Sequence, residues 1–142
     1  MNIKQALKRK NKLLALVVEE FNKASTYNSI EEGNPRPYSA TESIKKWQQY
    51  SEELVELKTK IHKANTPVFD KIFTLSELKS QIKFLKTLDC TQGRERKRWS
   101  EESVLRHAEI NTVEKDNMIK AIEVRIEMIQ DELDHFNFIT EI

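Results

Sequence analysis

Glycine is nearly missing from this chain: only Gly33 and Gly93 occur, with three prolines, in 142 residues. Tight β-hairpins draw on glycine for positive backbone φ, so the scarcity excludes a fold built of many hairpins and points to helices. Two isolated glycines cannot form a phosphate-cradling loop. Cysteine is rarer still. Cys90 stands alone, which excludes an internal disulfide and a multi-cysteine zinc site; a lone cysteine near a helix end reads as a small buried or half-buried residue. Long apolar runs are absent too. No stretch approaches the ~20 residues of a membrane span, and "MNIKQALKRKNKLL" lacks the apolar run of a signal peptide. A soluble cytoplasmic protein is the expectation. Net charge is also missing. The formal value is +1, so no global field draws the protein to nucleic acid or anionic membrane.

What is present is charge of both signs and helical periodicity. Charged residues make up 33% and hydrophobic residues 38%, yet the apolar residues are ordered, which argues against disorder. A compact chain of this length buries roughly 70% of its unfolded surface; an elongated one buries less and needs partners. The charge is uneven. Lys4, Lys8, Arg9, Lys10 and Lys12 fall in the first twelve residues with no acid, whereas Glu123, Glu127, Asp131, Glu132, Asp134 and Glu141 crowd the end. Those segments attract each other, within or between chains.

Four helices are predicted, over 2–24, 40–64, 74–89 and 112–136, with 25–39 and 90–111 irregular. In the first, Ile3, Leu7, Leu14, Val17 and Phe21 make a heptad-type stripe that Lys10 interrupts. Gly33, Pro35 and Pro37 forbid its continuation. Ser39 and Glu42 have capping-box spacing, and Trp47, Tyr50, Leu54, Leu57, Ile61 and Ala64 carry the second stripe up to Asn65 and Pro67. Thr74 and Glu77 repeat the capping spacing ahead of Leu75, Leu78, Ile82, Leu85 and Leu88. The last stripe, Ile119, Ile122, Ile126, Ile129, Leu133 and Phe136, runs unbroken for ~27 Å, and Phe138, Ile139 and Ile142 after it are expected to dock. The stretch "RWSEESVLRHAEIN" fits a short helix, a loop or an edge strand. The expectation is an all-α fold: one domain, an antiparallel long-helix bundle with coiled-coil-like seams. Narrow stripes between charged faces lead us to expect self-association, as a dimer or a higher assembly up to a hexamer, with Ile119 to Phe136 as the central seam.

Several short motifs resemble a known family. The opening "MNIKQAL" (Met1, Ile3, Ala6, Leu7), the turn "EEGNPRP" (Glu32, Gly33, Pro35), "IHKANTP" with "FTLSEL" (Ile61, Asn65, Thr74, Leu75) and the ending "NFITEI" (Asn137, Phe138, Thr140, Glu141) occur in order. In that order the chain is similar to the small bacterial helical proteins labelled septicolysin. Phe138 stands where that family has tryptophan, and 94–113 does not align with its Arg-Tyr-Ser-Arg-Ser-Glu-Ile run. The resemblance implies an all-helical, self-associating bacterial protein, and the label implies a pore-forming haemolysin. It carries over no catalytic or pore residue.

Chemistry is sparse. Arg94, Arg96, Lys97 and Arg98 precede Trp99, a pattern able to contact phosphates and stack on a base. Glu95, Glu101 and Glu102 interleave, so a solvated crossover anchored by Trp99 is the plainer reading. Glu132 and His135 have the Glu-x-x-His spacing of di-iron bundles, but one pair is half of what such a site needs and the two flank the apolar seam; a boundary histidine is expected, and no metal or cofactor. His62 and His107 are isolated. The first helix sets Ile3, Leu7 and Leu14 against Lys4, Lys8 and Lys12, the pattern of a helix lying on an anionic membrane and equally of any bundle helix. No catalytic constellation is legible, so no enzyme is expected.

Overall fold

A computed structural model describes residues 1–99 and 101–142. Four helices carry most of the chain: α1 (Ile3–Tyr27), α2 (Ala40–Ala64), α3 (Phe69–Lys86) and α4 (Thr112–Ile139). Between α3 and α4 lie two short strands, β1 (Gly93–Arg96) and β2 (Ser103–Arg106), paired antiparallel with Gly93 opposite Arg106 and Arg96 opposite Ser103. The fold is thus mainly helical with one small hairpin. The sequence reading treats the chain as one domain; the structure divides it into two compact units. Met1–Pro67 and Asp134–Ile142 form the first, Val68–Leu133 the second.

In the first unit α1 and α2 pack antiparallel. Arg9 forks onto the Glu53 carboxylate at 2.8 and 2.9 Å, and Phe21 lies 5.3 Å from Trp47, ring centre to ring centre. The core is Ala6, Leu13, Leu54, Leu57 and Ile61, with Leu7, Tyr50 and Ile142 packed against it. The predicted stripe of α2 is this core. That of α1 is corrected by one residue. Leu13 is fully buried, while Leu14 is 42% and Phe21 46% exposed. The buried residues of α1 are Ile3, Ala6, Leu13, Glu20 and Ala24, of which Ala6 and Leu13 join the core with α2, while Phe21 reaches Trp47 from its edge. The small Ala6 and Ala24 permit close approach on this side. Glu20 is buried on this face with Lys23 at 3.5 Å. Lys23 is held above its ordinary value, chiefly by its hydrogen bond to Glu19.

The ends of the chain are tied together inside this unit. Ile3 donates to the Thr140 carbonyl and Ile142 to that of Met1, both at 3.0 Å. The Met1 ammonium meets Glu141 at 2.8 Å. Attraction between the basic start and the acidic end is met here, by the terminal ammonium and not by the lysines. Docking of the last residues is partial: Ile142 packs on the core, whereas Phe138 and Ile139 stay mostly exposed.

Helix starts follow local chemistry. Asn2 caps α1 by accepting from Gln5 N–H at 2.8 Å while the Gln5 side chain accepts from Asn2 N–H, a full capping box. Its amide also donates to the Phe138 carbonyl at 3.1 Å. Asn2→Ala removes both side-chain bonds and leaves the Asn2 N–H, so a loss of about 1–2 kcal/mol is expected; urea denaturation is the check. Ser39 caps α2 by accepting from Glu42 N–H. The Thr74–Glu77 start for α3 is wrong. The helix begins at Phe69, after a 3₁₀ turn over Thr66–Val68, and the Thr74 hydroxyl donates to the Asp70 carbonyl one turn back. Pro67 lies in the turn that leads into α3, where a missing N–H costs nothing. It does not mark a gap before a later helix.

Candidate functional site

Exposed apolar side chains occur in both units, with Leu14, Val18 and Phe21 on α1 and Val55 on α2, but the second unit sets them against a smaller buried core. A self-sufficient surface helix has one apolar stripe and a polar remainder. Helix α3 is apolar on several sides. Leu78 is buried, but Phe84, six residues on and so about 120° around the helix, is 75% exposed. Phe73, one face with Phe84, is also exposed. Helix α4 behaves alike. Of the predicted seam, Leu133 is buried and Ile119, Ile122, Ile126, Ile129 and Phe136 are half-buried. The opposite face is apolar as well. Val124 lies nine residues from Leu133, about 180° around the helix. With Val113, Ala121 and Met128 it makes an exposed stripe; Val124 is 57% and Met128 61% accessible.

Polar ties hold α3 beside α4. The Lys71 ammonium pairs with Glu132, and the Lys115 ammonium donates to the Leu88 carbonyl at 3.3 Å. The Glu132 bond is the main cause that holds Lys71 above its ordinary value. Glu132, read as half of a Glu-x-x-His motif, is therefore engaged by a cation, and His135 is exposed. Among the described residues no group of three or more His, Cys, Asp or Glu is gathered that could hold a metal.

The basic segment forms the hairpin β1–β2. Its base is closed by Gln92, which donates to the Arg106 carbonyl at 3.2 Å and accepts from Ala108 N–H at 2.9 Å; its amide nitrogen also lies 3.3 Å from His107 Nδ1. Just before it, Asp89 accepts from the Thr91 hydroxyl and N–H. Those bonds, the hydroxyl first, keep its carboxyl below the usual range. Gly93 opens β1 with φ +95°, a region glycine enters freely. Alternation along the strands then sorts the charges. Glu95 lies on one face and pairs with Arg106 at 2.5 Å. Arg94 and Arg96 lie on the other, with Arg94 donating to Ser103 Oγ at 3.2 Å.

Lys97 N–H donates to the Glu102 carbonyl at 3.0 Å, closing the tip. There Trp99 is 95% exposed, and the Arg98 guanidinium lies 5.8 Å from its ring centre. Arg96, Lys97, Arg98, Trp99 and Glu101 line one open concavity. Two sequence expectations are corrected here. The segment holds a strand pair where 90–111 is expected to be irregular, although an edge strand is one of the three readings given for the stretch that contains β2, and Trp99 projects into solvent at the tip. The hairpin was hidden because β1 is GRER and β2 is SVLR, with no apolar alternation to mark either strand.

Of the apolar face of the amphipathic N-terminal helix, Ile3 is buried and Leu7 packs on the α1–α2 core, while Leu14 is 42% exposed. No described helix is long and apolar enough to cross a membrane. No protein-family model, curated protein or solved structure matches this chain.

Proposed function

We propose that the chain is a self-associating helical structural module, assembled through its Val68–Leu133 unit. One observation carries the reading: both helices of this unit expose apolar side chains on faces turned away from their buried residues. Only Val68, Leu78 and Leu133 are buried apolar residues among those described in the unit. A unit below roughly 70–80 residues with so small a core draws on further copies for stability. The exposed stripe of α4 supplies the contact. The resemblance to septicolysin-labelled proteins belongs to the same proposal, for the self-association it implies.

The charge along α4 favours an antiparallel pair. Its later half carries Glu127, Asp131, Glu132 and Asp134 without a lysine or arginine, whereas the earlier half balances Lys115, Lys120 and Arg125 against Glu114, Asp116 and Glu123. Parallel helices would set the two acidic halves against each other; antiparallel ones set each against a mixed half and relieve that repulsion. Sedimentation velocity at micromolar concentration should show a dimer or larger species, and a clean monomer sinks the proposal. In a Cys90→Ser background, a short bismaleimide should crosslink copies carrying Val124→Cys and leave those carrying Val113→Cys single. Efficient crosslinking at 113 would mean parallel pairing.

A further inference from the structure

The hairpin tip has a construction that self-association does not use. Trp99 is a large apolar ring held 95% in solvent. Its φ is +71°, in the left-handed region, where a bulky residue is an outlier. Such strain clusters at sites that bind or switch. A solvated turn at this position would be served by glycine or asparagine at no cost.

Cations surround the ring in an ordered way. Arg94 and Arg96 share one face of β1, about 7 Å apart along the strand, comparable to successive phosphates on an extended single strand. Arg98 sits beside the ring. Two acids are already engaged elsewhere: Glu95 pairs with Arg106 on the opposite face, and Glu102 lies 3.8 Å from the Lys97 ammonium.

We infer that the β1–β2 hairpin is a binding site for single-stranded nucleic acid, with Trp99 stacking on a base and Arg94 and Arg96 contacting the backbone. Stacking on an exposed aromatic with cations alongside is how sequence-tolerant single-strand binders work. An anionic membrane also attracts a tryptophan amid cations. This tip suits it less: Trp99 is the only apolar side chain among its described residues, which is little to insert into a bilayer.

The test uses the full chain and fluorescein-labelled 12-mers of dT and rU, followed by anisotropy. Binding at low salt is expected, with an affinity that falls as salt rises. Trp99→Ala should weaken it roughly 5- to 100-fold. Arg94→Ala with Arg96→Ala should flatten the log–log salt slope by about 1.4, near 0.7 for each lost phosphate contact. Sedimentation of both variants should match wild type, which separates this site from the assembly surface. No binding at low salt overturns the inference, and so does binding indifferent to both variants. Association with phosphatidylserine vesicles that depends on Trp99, without oligonucleotide binding, also overturns it and assigns the tip to membranes.

Discussion

Val124→Glu combined with Met128→Glu turns the protein into a folded monomer. Both side chains are more than half exposed, on the side of α4 away from Leu133. Within one chain a carboxylate there stays in water, so the change in folding stability should lie within about 0.5 kcal/mol per site. In the assembly the same carboxylates are buried against a second apolar stripe. Burying an unpaired charge costs several kcal/mol, and a two-fold contact presents each substitution twice. Sedimentation should shift to the monomer while the far-ultraviolet circular dichroism remains helical. Ile126→Asp is the contrasting variant. Ile126 is half-buried on the inner stripe, so it should lose helix content as well as association. If the double variant sediments like wild type, that face of α4 is not the contact.

Leu13→Ala destabilises the first unit by about 2–5 kcal/mol, the range for truncating a buried leucine. Leu14→Ala costs under about 1 kcal/mol. Leu13 has no exposed surface and sits among Ala6, Leu54, Leu57 and Ile61, whereas Leu14 keeps 42% of its surface in water. Trp47 fluorescence against urea is the readout, because Trp47 stacks on Phe21 in this unit and Trp99 is solvated from the outset. The midpoint should fall with an unchanged slope. A larger loss for Leu14 than for Leu13 would mean that the α1 stripe read from the sequence is the true packing face.

These two residues show where sequence reading stops. Leu14 continues the seven-residue spacing of Leu7 and Phe21, whereas Leu13, with Leu16 and Val17 one turn on, has only Ala6 and Glu20 at that spacing. Periodicity weighs side chains by hydrophobicity, while packing weighs them by the closeness they permit. Ala6 and Ala24 contribute little to a hydrophobic stripe and much to close approach. The α3 start was misread for a similar reason. Thr74 and Glu77 have capping spacing, but such a box forms only where the chain is not already helical, and the Pro67 turn had launched the helix before them. The Arg94–Trp99 segment was legible as a basic cluster with an aromatic. Its hairpin was not, because pairing there rests on backbone hydrogen bonds and the Gln92 clasp, which leave no apolar alternation in the sequence.

By itself the sequence determined four helices, the position of α2 to the residue, and the lack of a cysteine framework. Those follow from local chemistry: caps, prolines, glycine scarcity and helical period act over a few residues. Only the tertiary structure decided which face of α1 is buried, that α3 and α4 keep a second apolar face in solvent, and that Trp99 points outward from a strained turn. Each depends on what stands opposite a residue, and that is fixed by packing between segments far apart in the chain.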